Sequence, residues 1–477
     1  MERRFPHIIS HSGIAPFAAT QPWFLCSGAL LCAAAALVRS PLWASLAALL
    51  FAAFLVTIAR RAPAAFVLLA PMLVLRLTEL ASGAAIEDGA IMSETGVTGE
   101  PTGAFARLAL LQLVTIAAAA LLIERYWPRL RSNFANLAAP GPLMTSAIVG
   151  TIGLATLILA ALAWRHGLPL LGAIDRFTYL KRLDGTPFRT IMMNRIVIAP
   201  LVGLLVAAPT SRLLGLWLAA WLVILSITFG EKFTSLLFIT AAVAQPLALV
   251  QLARSGALPW RPLGLAAGVF LLVSLPAVLI TYGAASDPGR AWQRAQDRAA
   301  VQGQLWYLAD RAGPPRRPDS AAIRADLISW FRPTEQLPER AGTRFGLYHV
   351  MSRFTSSHRV GQAIAGNNGF AFALYPYLLL VSGPILLITG ALIVTLAQAT
   401  ILLLLAAALA HQRWLAALAF ARAANAATAT IVTGYLWNLF GVKTLAAILI
   451  GLTLTQLPKL GSFRVFQSPL NRKLRKA

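Results

Sequence analysis

Runs of about twenty apolar residues, each closed by a short polar break, occupy most of the chain, and that is the length an α-helix needs to cross a bilayer. They fall at 23–38, 41–59, 63–81, 105–123, 145–164, 191–208, 213–229, 235–252 and 262–282, and then, after a long gap, at 370–390, 391–410 and 441–457. The pattern predicts an all-α polytopic membrane protein of about 12 transmembrane helices, plus or minus 2. Between 411 and 440 the pattern weakens, because Arg413, Trp414, Arg422, Asn425, Tyr435 and Asn438 interrupt it. This stretch reads as a re-entrant or interfacial helix, or as part of a broken span. Met1 to Gln21 lacks the apolar segment of a cleavable signal.

The long gap divides the chain. Residues 1–284 form a membrane domain of nine helices, 285–368 a large, mostly helical loop, and 369–477 a second membrane portion with the last helices and a basic tail. Structureless loops of this length are uncommon in compact proteins. This one interleaves its arginines with Trp292, Trp306, Tyr307, Trp330, Phe331, Phe345 and Tyr348, enough aromatic surface to fold.

Composition agrees with the pattern: 477 residues, 58% hydrophobic and 12% charged, are too apolar for a soluble core. The net charge of +24 would point to nucleic acid in a soluble protein. Here it is read loop by loop, as topology signal and head-group contact, and no nucleic-acid partner is expected. Arg60, Arg61, Arg125, Arg129, Arg131, Arg212, Arg254 and Arg261 lie in short connections on the side of the N-terminus, which Arg3 and Arg4 and the tail residues Arg464, Arg472, Lys473, Arg475 and Lys476 share. The opposite side carries Glu87, Asp88, Glu94 and Glu100. Both termini are therefore expected in the cytoplasm, and the long loop outside, since long loops translocate largely regardless of charge. Cys26 and Cys32 point to different faces of one helix, so neither a disulfide nor a metal site follows.

One short outward segment breaks the charge bias. Residues 165–190 hold Arg176, Lys181, Arg182 and Arg189, with Asn194 and Arg195 just inside the next span. The segment reads either as a solvated basic loop or as half of an anion site, shared with the long loop, in which guanidinium forks grip a pyrophosphate. Inside the spans, Arg76 and Glu79 stand three apart, and read either as a pair that neutralises itself or as a functional site. Glu231 and Lys232 form a tight outward turn.

The densest polar group opens the long loop. Residues 291–308 read as a helix with Arg294, Asp297, Arg298 and Gln302 near one face. Gln302 and Gln304 beside Trp306 and Tyr307 offer amides and ring faces of the kind that hold sugars. The alternative is a helix docked on the membrane domain with its aromatics buried. His349, Arg353 and His358 follow, and no spacing forms a metal cage or the carboxylate pair of a glycosidase.

The layout of many spans, a moderate outward loop and a large outward loop before the last helices resembles the bacterial polysaccharide polymerases and ligases of the O-antigen type. Residues 296–306, QDRAAVQGQLW, and 367–376, NNGFAFALYP, are similar to segments of Wzy-type repeat-unit polymerases. The resemblance implies a GT-C-like glycosyltransferase of the bacterial inner membrane, without cofactor or metal. Such an enzyme transfers a growing glycan from an undecaprenyl-pyrophosphate donor to a lipid-linked repeat unit at the periplasmic face, with membrane lipid and a chain-length regulator protein as further partners. On that basis Arg176, Lys181, Arg182, Arg189 and Arg195 are expected at the pyrophosphate and Arg298, Gln302, Gln304 and Trp306 at the sugars, with Asp297, Glu231 and His349 as candidate bases. An O-antigen ligase, a lipid-linked oligosaccharide flippase and a noncatalytic scaffold are the alternatives. The flippase is disfavoured because the two halves differ in loop length, whereas carriers usually show internal repeats.

Overall fold

The computed structural model describes residues 14–92, 94–169, 179, 182, 183, 185–231, 233–284, 302–332, 342–366 and 372–456. Apart from a two-residue hairpin, 91–92 with 97–98, the regular structure there is helical. In chain order the helices are α1 (Ile14–Leu37), α2 (Leu42–Arg61), α3 (Pro63–Glu87), α4 (Ala104–Ala135), α5 (Pro142–His166), α6 (Phe188–Ala207), α7 (Arg212–Thr228), α8 (Phe233–Ser255) and α9 (Trp260–Ala284). The loop supplies α10 (Gln304–Ala312), α11 (Ser320–Ser329), α12 (Gly346–Phe354) and α13 (Ser357–Gly366). The chain then returns through α14 (Leu374–Ala410), α15 (Trp414–Thr433), the single turn α16 (Trp437–Phe440) and α17 (Val442–Gln456). Among the described residues nine helices are long and apolar enough to cross a membrane: α1 to α6, α8, α14 and α15. Counting the shorter apolar helices α7, α9 and α17 as crossings as well gives about twelve among the described residues.

Between 370 and 440 the structure corrects the apolar-run reading. The runs 370–390 and 391–410 are one element, α14, with non-helical Gly383 at φ 81° and Pro384 inside it. A straight helix would hold residues 378 and 390 about 18 Å apart. Yet a Cβ on Gly390 would lie 3.1 Å from the Leu378 side chain. The arm 374–382 therefore folds back on the arm that follows Gly383, and the long arm alone makes the crossing. Gly383 sits in the left-handed region, where a side chain is strained, and Pro384 withholds a backbone donor. The weak stretch after 410 is a full helix, α15, whose alanines had diluted its hydropathy. Twelve passes stand, but the turn His411–Gln412 lies on the opposite face from that implied by two separate spans.

Hydrogen bonds gather the short basic connections on one face. Arg61 donates to the Pro16 carbonyl at 2.9 Å, Arg131 to Ala253 at 3.1 Å, Arg254 to Ala135 at 3.1 Å and Gln412 to Ala138 at 2.7 Å. The other face carries the loop. Within the bundle, Pro71 cannot donate to the Val67 carbonyl, and the Gln245 amide on α8 reaches across to Val67 and Leu68 at 3.2 and 3.1 Å. Glu124 on α4 accepts from the Ala65 N–H at 3.0 Å, capping α3, which has no side-chain cap of its own.

Two cores tie the loop down. Trp306 to Ala309 join the main core of the bundle. A second core joins Leu305, Phe345, Tyr348 and Met351 to Tyr377, Tyr435 and Trp437.

Candidate functional site

The acidic segment on the loop face is the seat of the loop. Glu94 accepts from the Gln304 amide, and its carbonyl accepts from Arg359. The Tyr307 hydroxyl accepts from the Glu100 N–H at 2.8 Å, Arg311 approaches Glu100 at 3.4 Å, and Trp306 donates to the Ala104 carbonyl at 2.7 Å. Arg107 grips Asp310 through two hydrogen bonds, 2.8 and 2.5 Å. Burial raises the pKa of the Tyr307 hydroxyl. Gln304 and Trp306, expected at the sugars, are thus buried and committed to docking. Gln302 lies in the turn that precedes α10.

Directly beneath Gly303 lies a charged cluster closed from solvent. The Gly303 N–H donates to Ser82 at 2.8 Å, and a Cβ on Gly303 would stand 2.9 Å from the Glu79 carbonyl and 2.5 Å from the Phe105 ring. Below it Arg76 and Glu79, 1% and 0% exposed, pair at 2.5 Å. Gln112 on α4 donates to the same Glu79 oxygen at 3.0 Å. The Arg76 guanidinium lies 4.0 Å over the Tyr375 ring and 5.9 Å from that of Phe372, and the Tyr375 hydroxyl is 3.3 Å from Thr115. The pairing of Arg76 with Glu79 follows from their spacing. What the sequence did not single out is Gln112, a lone amide in an apolar run, and Tyr375, inside the NNGFAFALYP segment.

A second buried pair flanks the first. Arg195 on α6 donates to Ser226 at 2.5 Å and to Glu231 at 3.4 Å, and Ser235 donates to the other Glu231 oxygen at 2.6 Å. The expected pyrophosphate ligand and one candidate base are therefore each other's partners. Between the two pairs sits an apolar cluster of Leu75, Leu236, Leu237, Phe270 and Phe372. Arg182 and Arg189 are exposed, and among the described residues no hydrogen bond or ion pair links either of them to the loop. Much of both basic segments lies outside the described residues, and within them Arg311 and Arg359 of the loop contact the acidic seat.

The third polar group lies within the loop. His349 Nδ1 faces the Thr343 carbonyl at 3.0 Å, which leaves the Nε2 lone pair without a hydrogen bond, 3.8 Å from Asp319. Burial lowers the histidine pKa, with the Thr343 carbonyl and Asp319 only partly opposing it. Asp326 on α11 accepts from Tyr377 at 2.9 Å and Trp330 at 3.3 Å. Burial pushes its carboxyl up to about 7, the two donors opposing the rise.

Arg176, Lys181, Asp297 and Arg298 lie outside the described residues, as do 367–371 of the second resemblance segment.

Fold and site together define a multi-pass α-helical membrane protein whose buried arginines sit in the loop-facing half of the bundle. Residues 340–448 match the family model of a family of unknown function, DUF6418. That stretch runs from the approach to α12 into α17 and holds most of the second core, including Tyr348, Tyr377, Tyr435 and Trp437. No curated protein and no solved structure matches the chain.

Proposed function

We propose that the protein is a polysaccharide polymerase of the bacterial inner membrane, GT-C-like in architecture, with both termini cytoplasmic and the loop face periplasmic. It transfers a growing glycan from an undecaprenyl-pyrophosphate donor to a sugar hydroxyl of a lipid-linked repeat unit. The C1–O bond to pyrophosphate breaks, the bond from C1 to the acceptor oxygen forms, and the hydroxyl proton passes to a base. The observation that supports this reading is the placement of polar groups: Arg182 and Arg189 are exposed, with no side-chain hydrogen bond or ion pair among the described residues, on the face that carries the folded loop. A lipid-linked pyrophosphate lies at the membrane surface, where such arginines meet it. Of the three candidate bases, Glu231 is committed to Arg195, whereas His349 keeps a free Nε2 lone pair.

Deleting the gene in its host and resolving surface polysaccharide by size tests the proposal. A polymerase leaves single repeat units attached and removes the ladder. Loss of all attached repeats means a ligase or flippase instead, and an unchanged ladder overturns glycan assembly altogether. Arg182→Ala, still present in the membrane, is expected to shorten the ladder.

A further inference from the structure

The loop packs most of its large apolar side chains into the bundle core or into its own. Among its described residues three stay outside: Leu327 and Ile328 on α11, and Phe331 just beyond it, which is 79% exposed. With Arg324 they stand at i, i+3, i+4 and i+7, one stripe along the helix, which the helical backbone of Trp330 carries on to Phe331. The opposite stripe, Ala322, Asp326 and Ser329, is buried. Both ends of α11 are tied to apolar helices of the bundle. At its start the Asp319 N–H donates to the Val381 carbonyl at 2.8 Å, beside the Gly383–Pro384 turn from which the long arm of α14 runs into the membrane. At its end the N–H of Val442, the first residue of α17, donates to the Trp330 carbonyl at 3.0 Å, and Trp330 stacks on Phe440 with ring centroids 5.0 Å apart. The helix, about 15 Å long, therefore lies along the rim of the bundle, from the loop-face end of α14 to that of α17. Those two ends are bare as well: Ile385 and Leu386 on α14 and Val442 and Leu445 on α17 are exposed, as the lipid-facing side of a membrane helix is.

We propose that α11 is an interfacial helix: Leu327, Ile328 and Phe331 enter the leaflet on the loop face, and Arg324 and Arg332 reach the phosphates of its head groups. A lipid surface is the partner because the stripe begins and ends beside surfaces that lipid covers, and an apolar patch continuous with them costs least when lipid covers it too. The two arginines fit the same partner. Both are exposed, and neither side chain has a hydrogen bond or ion pair among the described residues. From the two ends of the stripe their long stems can lie along the apolar surface while the guanidiniums meet phosphate. Trp330, stacked on Phe440 and donating its indole N–H to Asp326 at 3.3 Å, is a side chain of the kind that favours this depth. The loop is then held to the bilayer as well as to the bundle, whatever reaction the protein catalyses.

Spin-label accessibility tests this on the full-length protein. With Cys26 and Cys32 replaced by alanine, a single nitroxide is attached at Phe331→Cys, Ile328→Cys or Arg317→Cys, and each protein is placed in nanodiscs of phosphatidylcholine and phosphatidylglycerol. Power saturation then compares collisions with oxygen, which concentrates among acyl chains, and with a water-soluble nickel chelate. At 331 and 328 the ratio of oxygen to nickel collisions is expected to be severalfold higher than at the exposed control position 317. Two labelled positions on the stripe keep the test open if one of them disturbs the fold. A ratio at 331 and 328 equal to that at 317 would place the stripe in water and overturn the proposal. Protection from both probes, with dipolar broadening between labels on neighbouring molecules, would seat a second copy of the chain there and overturn it equally. Arg324→Gln combined with Arg332→Gln is expected to lower the ratio at 331, and an unchanged ratio would strike the two arginines from the contact.

Discussion

Arg195 and Glu231 show how a buried pair constrains substitution. Each is almost fully enclosed, and each has a serine as second partner, Ser226 or Ser235. Removing one member leaves the other charge uncompensated in a low-dielectric site, which typically costs about 3–5 kcal/mol. Glu231→Leu and Arg195→Leu are each expected to lower the thermal unfolding temperature in detergent strongly. The double variant should be more stable than either single one, since neither member of this pair is left without the other. A double variant with the summed loss would show that the two residues act independently. Both residues stood out in the sequence as charges next to spans, but their pairing did not, because 36 positions separate them and the packing of α6 on α8 brings them together. Arg76 with Glu79 was legible because three positions on a helix place side chains together. Gln112 was not, since a single amide in an apolar run gives no sign of which helix it faces. For Gln304 and Trp306 the sequence offered sugar contact or docking, and residue types alone could not choose between them. The acidic segment that decides it, with Glu94 and the Ala104 carbonyl, lies some two hundred positions earlier.

Among the elements, α11 is held to α14 by a titrating carboxyl. Asp326 has its ordinary pKa of 3.8 when unfolded, and burial raises it to about 7 in the folded loop. The folded state thus binds the proton more tightly, and its contribution to stability is fully present below pH 3.8 and is lost as pH rises through about 7. Amide exchange in α11 is expected to slow as pH is lowered from 8 to 5, after correction for intrinsic rates. Asp326→Asn, which has no proton to exchange, should flatten that dependence. An equal pH dependence in the variant would assign the effect to a group other than Asp326, and His349 would not be that group. Its depressed pKa works in the opposite direction, since protonating a buried neutral imidazole disfavours the folded state as pH falls. The same helices show where periodicity misleads. Residues 374–410 are apolar throughout, so hydropathy places two spans there, while Gly383 and Pro384 turn the chain back within it. Apolar runs report burial in lipid or protein, and a folded-back arm buried against its own helix looks the same as a span.

For the whole molecule, the number of passes and the face on which each turn lies are separable quantities, and only the second tells the two arrangements of 370–440 apart. With α14 as a single crossing, Gln412 lies beside Ala138 on the face of the short basic connections. With two crossings in the same stretch it would lie on the loop face. Single cysteines at Gln412, Asn136 and Arg317, placed in a background where Cys26 and Cys32 are alanine, resolve this with a membrane-impermeant maleimide. In intact spheroplasts Arg317→Cys is expected to label, since the loop face is proposed to be periplasmic. Asn136→Cys and Gln412→Cys should label only after permeabilisation. Labelling of Gln412→Cys together with Arg317→Cys would restore the two-span arrangement and remove the folded-back arm. Labelling of Asn136→Cys and Gln412→Cys but not Arg317→Cys would keep the fold and invert the protein in the membrane. The exposed Arg182 and Arg189 would then face the cytoplasm, where a periplasmic polymerase has no use for them. Orientation therefore bears on function directly: the excess of arginine in the short connections is the ground for proposing that the loop face lies outside, and the polymerase reading depends on it.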